Sequence, residues 1–281
     1  LFLLLFGLPI MVMEFAVGRA SQRSAARSFH LLEPAGTKWH WYSLGAMAGN
    51  YLLMMFYTTV GGWMIAYFFK MLTGEFKGLD PQQVGGVFNG MLAQPGYQVF
   101  WMLVTVILGF GVCSMGLQKG VERVTKVMMA CLYIIMLILC VRSVTLPGAS
   151  EGLKFYLLPD FGKMVESGLG EAIYAAMGQA FFTLSLGIGA LAIFGSYIGR
   201  DRRLTGEAVD VAVLDTTVAL LAGLIIFPAC SAFDVNPGEG PGLVFVTLPN
   251  VFNQMAGGSI WGALFFLFMS FAALTTVIAV F

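Results

Sequence analysis

Long apolar runs recur along the chain, separated by polar or Gly- and Pro-rich connections. A run of about 20 apolar residues is long enough to cross the hydrocarbon core of a bilayer as an α-helix. The pattern therefore predicts an all-α, polytopic transmembrane helix bundle, a single transmembrane domain over residues 1–281 with about seven membrane-spanning helices. The predicted spans are approximately residues 1–18, 44–69, 98–117, 124–146, 172–198, 208–229 and 259–281.

In the fifth predicted span two closely spaced glycines, Gly187 and Gly189, follow Ser185. Each glycine weakens a helix by about 1 kcal/mol relative to alanine. In hydrocarbon, irregular backbone survives only where protein or a water-filled cavity satisfies its peptide groups. One interpretation is a broken membrane helix near residues 183–189, whose first half ends near Thr183 and whose freed carbonyls suit a cation. The alternative is a small-residue face that packs against a neighbouring helix.

The amino-acid composition supports the membrane assignment. The chain of 281 residues is 58% hydrophobic and 11% charged, whereas soluble domains are about 45–50% apolar and about 25% charged. We therefore predict a multi-pass protein of the cell membrane that is surrounded by the lipid bilayer. The net charge is zero, which argues against a nucleic-acid partner. No oligomeric state follows from these properties.

Arginine and lysine concentrate in alternate loops. The loops near residues 19–40, 118–126 and 199–207 hold ten of the fifteen Lys and Arg residues. By the positive-inside rule these loops lie in the cytoplasm, so the first helix runs from outside to inside. The sequence begins and ends inside apolar runs, at Leu1 and Phe281. We therefore expect it to belong to a longer protein.

Cysteine, histidine and motif spacing give no enzyme or metal signature. The four cysteines lack the spacing of metal ligands and are interpreted as small packing residues. His30 and His40 flank a loop and are interpreted as isolated, with no metal role. The sequence contains no nucleophile-elbow, zinc-protease or phosphate-loop motif. We therefore do not expect an enzyme.

Two carboxylates, Glu14 and Asp215, lie inside predicted spans, where charged side chains are rare and usually functional. Glu14 either accepts hydrogen bonds from a neighbouring broken helix or pairs with Arg19 near the interface. Asp215 lies about two turns inside the sixth span. A buried anion there needs a cation or several donors; alternatively, Asp215 is a carboxylate near the cytoplasmic start of its helix.

Hydroxyl groups in the second and last spans offer further polar chemistry. Thr275 and Thr276 lie three and four residues after Ala272, so the three positions share one helix face. Their hydroxyls and the Ala272 carbonyl form an oxygen set suited to an alkali cation, unless each threonine bonds back to its own helix. Tyr57 lies in the middle of the second span, where its O–H needs either a substrate or a backbone carbonyl as partner.

Several collinear motifs resemble those of the neurotransmitter:sodium symporter family, whose fold is the LeuT fold. Residues 7–19 read GLPIMVMEFAVGR and resemble the second transmembrane helix of that family. Residues 120–123, GVER, resemble the start of the fifth helix, and residues 271–276, FAALTT, resemble the eighth. The most specific motif is QAFFTLSLG at residues 179–187, which resembles the unwound sixth helix. The resemblance covers helices two to eight of a twelve-helix family.

The resemblance implies roles for individual residues. It matches Thr183 and Asp215 to the first of two sodium sites, with Thr183 also beside the substrate. The second sodium site is matched by Ala272, Thr275 and Thr276. Substrate-pocket positions are matched by Leu53, Tyr57, Phe182, Ser185, Ile188 and Val280. Structural or gating positions are matched by Glu14, Gln179 and Gly187.

The resemblance also implies a function, that of a sodium-coupled symporter importing amino acids by alternating access. The short loops suggest a prokaryotic member, and the apolar pocket positions suggest a hydrophobic substrate. Many members have an aromatic residue at the position of Ile188. Animal members usually have Asn at the position of Asp215 and need chloride, so we expect two Na⁺ ions and no chloride requirement here. The alternatives are a non-transporting sensor or scaffold of the same fold and a proton-coupled transporter that uses Asp215.

Overall fold

The computed structural model describes residues 1–115, 118–166, 168–236 and 242–280. A π-helical turn, Leu3–Gly7, leads into the first α-helix. No strand occurs in the described ranges, so the all-α prediction is confirmed. The α-helices in chain order are α1 (Leu8–Ser21), α2 (Ala25–Leu32), α3 (His40–Leu72), α4 (Pro81–Leu92), α5 (Pro95–Met115), α6 (Gln118–Val144), α7 (Ala149–Leu157), α8 (Phe161–Glu166), α9 (Leu169–Thr183), α10 (Ala190–Tyr197), α11 (Leu204–Phe233), α12 (Gly242–Asn253) and α13 (Gly258–Val280).

Six helical segments of the described chain are long and apolar enough to cross a bilayer. They correspond to six of the seven predicted spans, which confirms a multi-pass membrane protein. The six segments are Leu3–Ser21, His40–Leu72, Pro95–Val112, Lys126–Val144, Leu204–Phe233 and Gly258–Ile278. The remaining predicted span, residues 172–198, is divided between α9 and α10. The helix break predicted near residues 183–189 is therefore confirmed, with α9 ending at Thr183.

The described residues group into two compact units. The first comprises Leu1–Met54, Asp160–Thr217 and Val280, and the second comprises Met55–Pro159 and Val218–Ala279. Helices α3 and α11 each contribute residues to both units. A single transmembrane domain over residues 1–281 stays a prediction.

In the first unit, α1 packs directly against α10 through glycines on both helices. A side chain on Gly18 would collide with the backbone of Ala192, and one on Gly195 would collide with the backbone of Phe15. Small residues of this kind let two membrane helices approach to backbone contact. Met11 is fully buried beside this contact. The close approach fixes α10 against α1.

The second unit is built around an aromatic core. Tyr67 in α3 packs edge-on against Phe245 in α12, with ring centroids 4.9 Å apart. Phe88 in α4 stacks on the same Phe245 ring at 5.4 Å. Such pairs add about 0.5–1.5 kcal/mol each beyond the apolar area that they bury. The rings therefore join α3, α4 and α12 in one core.

Several connections between the spans are helical, which the apolar pattern did not predict. Helices α2, α4, α7 and α8 occupy these connections. In α4 the start is encoded locally, because Asp80 and Gln83 form a reciprocal capping box. Helix α12 begins at Gly242, and Pro249 lies inside it. Burial of the apolar side chains of α12 holds the helix together despite the missing proline N–H.

The interpretation of His30 and His40 as isolated was wrong. Their rings stack with centroids 5.2 Å apart. Glu33 lies beside them, and its carboxylate accepts hydrogen bonds from the His40 ring and from the His40 backbone N–H. The hydrogen bond from the ring lowers the pKa of the Glu33 carboxyl below its usual value. The loop between α2 and α3 folds back and brings these residues together. Because His30 and His40 are ten residues apart, the sequence alone did not indicate this contact.

Candidate functional site

The backbone that separates α9 from α10 contains three residues in the left-handed region. Ser185, Gly187 and Gly189 have φ angles of 52°, 84° and 72°. A residue with a side chain loses about 1–2 kcal/mol in this region, so glycine at two of the three positions relieves most of the strain. Leu184 and Leu186 are buried and anchor the segment. The break is therefore an ordered structure rather than a frayed helix end.

Side chains from α1 and α3 satisfy the peptide groups of the break. The Gly187 N–H donates to Glu14 Oε1 at 2.7 Å. The Tyr42 hydroxyl donates to the Gly187 carbonyl oxygen at 2.7 Å, and Asn50 Nδ2 donates to the Ile188 carbonyl oxygen at 2.8 Å. Irregular backbone in a membrane protein requires partners of this kind. The three side chains thus satisfy peptide groups that the helix break leaves without partners in a helix.

Glu14 reaches the break because α1 lies against α10. It is buried, with 7% of its surface exposed, and it immediately precedes Phe15, which contacts Gly195. Arg19, the alternative partner, donates instead to the Arg202 carbonyl oxygen at 2.9 Å. Of the two interpretations of Glu14, the structure thus contains the contact with the broken helix. The carboxylate also lies near the start of α10, where the helix dipole favours an anion.

Thr183 and Asp215 lie together at the other side of the break. The Thr183 hydroxyl donates to Asp215 Oδ2 at 2.9 Å, and both residues are half-buried. Thr183 is the last residue of α9. Helix α11 begins at Leu204, so Asp215 lies about three turns inside it rather than two, roughly 16 Å from the helix start. That depth argues against the alternative interpretation, in which Asp215 lies near the cytoplasmic start of its helix.

Five of the predicted substrate-pocket positions belong to the first unit, and three of these lie at the helix break. Phe182 is exposed, with 59% of its surface accessible, while Ser185 and Ile188 are half-buried. The Ile188 side chain packs over Gly49 of α3, where an added Cβ would lie 3.0 Å from Ile188 Cγ2. Leu53 and Val280 are half-buried in the same unit, and Gln179 is exposed one turn before Thr183.

The remaining predicted site residues belong to the second unit. The Thr275 hydroxyl donates to the Ala272 carbonyl oxygen at 2.8 Å, and the Thr276 hydroxyl donates to it at 3.4 Å. Both hydroxyls thus donate to the same carbonyl oxygen within one turn of α13, which is the bonding within a helix that the alternative interpretation predicted. Tyr57 is half-buried in the middle of α3, and its hydroxyl has no hydrogen-bond partner among the described residues.

Tyr42 and Asn50 contact the break and were not recognised from the sequence. Asn50 offered a signal, because an amide side chain inside a long apolar helix needs partners at membrane depth. Its Oδ1 atom remains buried without a partner among the residues that the structure describes. Tyr42 lies in the first turn of α3, where aromatic residues are common, and offered no signal of its own.

A polytopic helix bundle with a broken helix is an architecture found in many secondary transporters. In such proteins the irregular backbone lies near the middle of the membrane, and its peptide groups and neighbouring oxygens bind substrates and ions. The break between α9 and α10, with Thr183 and Asp215 at one side and Glu14 at the other, has these features. The fold and the site therefore have the architecture that is typical of secondary transporters with a broken helix.

Comparison with known proteins identifies the family. Residues 82–281 match the Sodium:neurotransmitter symporter family. The chain is 38% identical over 278 residues to "Uncharacterized sodium-dependent transporter YhdH" of Bacillus subtilis, covering 98% of this chain and 60% of the relative. It is 33% identical over 288 residues to an "Uncharacterized sodium-dependent transporter" of Haemophilus influenzae, covering 99% and 62%. The chain belongs to the Sodium:neurotransmitter symporter family.

A solved structure supports the same assignment. The crystal structure of MhsT in complex with L-phenylalanine superposes with a TM-score of 0.92 at 40% sequence identity. The match covers 99% of this chain and 62% of the MhsT chain, and it confirms the LeuT-like fold. The chain thus spans about 60% of the length of these bacterial relatives and of MhsT.

Proposed function

We propose that the protein is a sodium-coupled symporter that imports amino acids by alternating access and prefers a hydrophobic substrate. The observation that carries the proposal is the pair formed by Thr183 and Asp215 at the end of α9. Support for sodium comes from membership of the family and from relatives named sodium-dependent transporters. Support for an amino acid comes from MhsT, whose structure contains L-phenylalanine.

The electrostatics around Asp215 favour a cation. The carbonyl end of a helix carries a partial negative charge, and Asp215 adds a full negative charge beside the last residue of α9. Among the residues that the structure describes, no Lys, Arg or His forms an ion pair with Asp215. Carboxylate, hydroxyl and carbonyl oxygens are the ligands that hard cations prefer. Asp215 and Thr183 would therefore bind the first sodium ion.

A second sodium ion would bind in α13, at the oxygens of Ala272, Thr275 and Thr276. The two hydroxyls lie 2.8 and 3.4 Å from the Ala272 carbonyl oxygen. Rotation of each hydroxyl hydrogen away from that carbonyl would present three oxygens to one ion. The same contacts also serve as ordinary bonds within a helix, so a substitution must distinguish the two roles.

The substrate would be bound by residues of α3, the break and the end of α13. Tyr57 would donate its free hydroxyl to the substrate carboxylate. The apolar side chains of Leu53, Phe182 and Ile188 would contact the substrate side chain, which favours a hydrophobic amino acid. Ser185 and Val280 complete this set, and Phe182 would close over the bound substrate. These roles rest on the family resemblance of each position.

Sodium-driven uptake tests the proposal. The full-length protein that contains this chain is reconstituted in proteoliposomes, and each of the twenty amino acids is offered with and without a sodium gradient. Uptake of hydrophobic amino acids with the gradient is expected. Asp215→Asn should abolish or weaken the sodium dependence, whereas Asp210→Asn, on an exposed position of the same helix, should not. Sodium-dependent binding without any uptake would instead indicate a sensor or scaffold.

We further propose that chloride is not required, because Asp215 supplies the negative charge. Two sodium ions bring two positive charges into a poorly solvated region, and a fixed carboxylate offsets one of them. Uptake should persist when gluconate replaces chloride. Asp215→Asn should be inactive in gluconate and regain part of its activity in chloride. Chloride-dependent uptake by the unsubstituted protein would contradict this proposal, and uptake driven by a proton gradient without sodium would favour Asp215 as a proton carrier.

A further inference from the structure

The loop between α2 and α3 brings two imidazoles and a carboxylate to one place. His30 lies in the last turn of α2, Glu33 follows that helix, and His40 is the first residue of α3. One ligand-type atom from each residue lies within 4.8 Å of the other two. The His40 Nδ1 atom is 2.9 Å from both carboxylate oxygens of Glu33. These contacts lie within the first unit.

We propose that His30, Glu33 and His40 form a binding site for a divalent transition-metal cation of the zinc type. Two imidazoles and one carboxylate, with water in the fourth position, are a common set for zinc. Imidazole nitrogen favours zinc, copper and nickel, whereas the harder cations magnesium and calcium prefer oxygen alone. The chemistry of the three side chains therefore selects a transition metal and differs from that of the sodium sites.

The geometry fits such a cation after a small adjustment. In a tetrahedral zinc site the donor atoms lie about 3.4 Å apart. The His30 ligand atom, within 4.8 Å of the other two, would move inward by at most about 1.4 Å, and His40 Nδ1 and the Glu33 oxygen, now 2.9 Å apart, would separate by about 0.5 Å. His30 is exposed, and a rotamer change is sufficient to move its ring. The metal would replace the proton shared by His40 Nδ1 and Glu33, while the His40 backbone N–H, 3.1 Å from Oε2, keeps the carboxylate in place.

Two arginines modify the expected affinity. Arg23 and Arg27 line a surface cavity together with His30. Their positive charges oppose a bound cation, although water and salt screen charges at the surface. They also favour an anion such as chloride or hydroxide as the fourth ligand. We therefore expect binding that is reversible on removal of free metal, as in a regulatory site.

The proposed metal site lies next to a residue that contacts the helix break. Tyr42 follows His40 by two residues in the first turn of α3, and its hydroxyl donates to the Gly187 carbonyl oxygen at 2.7 Å. The Tyr42 ring also packs edge-on against Phe29 of α2, with centroids 4.7 Å apart. A metal that joins α2 to the first residue of α3 would fix this turn, and with it the donor to Gly187.

Metal binding to the full-length protein tests the site directly. The protein is purified with an affinity tag that lacks histidine, and Zn²⁺ is titrated against a chromophoric chelator. One reversible equivalent is expected beyond any bound by the rest of the protein. His30→Asn and His40→Gln should each weaken it by at least about 10-fold, since even indirect partners of metal ligands contribute that much. Glu207→Gln removes another ion-paired carboxylate, which bonds to Arg202, and should leave the affinity unchanged.

Cobalt provides a second readout that does not depend on affinity. Co²⁺ in place of Zn²⁺ should give visible bands of a tetrahedral nitrogen and oxygen site, without a thiolate charge-transfer band. The bands should disappear in the double variant H30N/H40Q. Equal zinc binding by the double variant, or a thiolate band in the unsubstituted protein, would overturn the proposal. Absence of any equivalent that depends on these histidines would overturn it as well.

A transport measurement tests the connection to the break, and this arm rests on the proposed function. Zinc on the predicted cytoplasmic side should lower sodium-driven uptake by the unsubstituted protein and should not lower uptake by H30N/H40Q. If the metal-free protein shows no uptake, the transport proposal fails while the binding result still decides the metal site. Equal inhibition of both proteins would show that zinc acts elsewhere.

Discussion

Alanine at the two glycines of the helix break should have unequal consequences. Gly187 and Gly189 both have positive φ, at 84° and 72°. A Cβ on Gly187 meets no heavy atom within 4 Å. A Cβ on Gly189 would lie 2.7 Å from the Ala25 Cβ and 3.5 Å from the Ala46 Cβ. The first substitution therefore perturbs only the backbone conformation, and the second also forces α2 away from the break.

These contacts set the magnitudes. An alanine in the left-handed region loses about 1–2 kcal/mol at either position. Overpacking against a fixed neighbour adds about 1–3 kcal/mol at Gly189. We therefore expect Gly187→Ala to reduce the stability by about 1–2 kcal/mol and Gly189→Ala to reduce it by about 2–5 kcal/mol. Each kcal/mol corresponds to roughly 2–4 °C in Tm for a chain of this size.

Thermal unfolding of the purified protein in detergent measures both effects. Because membrane proteins often unfold irreversibly, all variants are compared at one heating rate. Gly90→Ala serves as the control, since this glycine lies in α4 with nothing within 4 Å and no positive φ. That change should raise Tm slightly, as alanine stabilises a helix by about 0.5–1 kcal/mol. Equal Tm values for Gly187→Ala and Gly189→Ala would refute the close approach of the break to α2.

Three further substitutions test the proposed roles of single side chains. Thr275→Val removes one ligand of the proposed second sodium site and should weaken sodium binding about 10- to 100-fold in a binding assay; unchanged sodium dependence would exclude the site. Tyr57→Phe should weaken substrate binding by about 1–3 kcal/mol, and full affinity would leave the phenol a packing role only. Glu14→Gln keeps an acceptor for the Gly187 N–H but loses the charge, so Tm should indicate a loss of about 1–2 kcal/mol. An unchanged Tm would mean that the charge of Glu14 is immaterial to the break.

The membrane spans and the break were predictable because their signals are local. Each span requires an unbroken apolar run, and the run from residue 172 to 198 contained its own interruption in Gly187 and Gly189. The observed end of α9 at Thr183 agrees with that prediction. The start of α11 differed by four residues, because Leu204 to Glu207 form a helical first turn outside the apolar run.

The partners of the break were less predictable, since they depend on the tertiary arrangement. Tyr42 bonds to a carbonyl 145 residues away, and Asn50 to one 138 residues away. Nothing near either residue in sequence indicates such a partner. The contact between His30 and His40 has a similar cause, because a folded loop of ordinary polar composition brings the two rings together. The amide of Asn50 inside an apolar helix indicates that this side chain needs a polar partner, but it does not indicate which one.

The two buried or half-buried carboxylates at the break differ in a way that bears on its function. Glu14 accepts the Gly187 N–H through Oε1 close to the start of α10, where the helix dipole favours an anion, whereas its Oε2 is buried without a partner among the described residues. Asp215 lies at the end of α9, where the dipole is negative, and receives one neutral hydroxyl. The Asp215 carboxylate and the negative end of the α9 dipole repel each other. A cation bound at Asp215 would offset this repulsion and would thereby also stabilise the end of α9. Under the proposed function, sodium binding and the conformation of the break are therefore thermodynamically linked, as a coupled transporter requires.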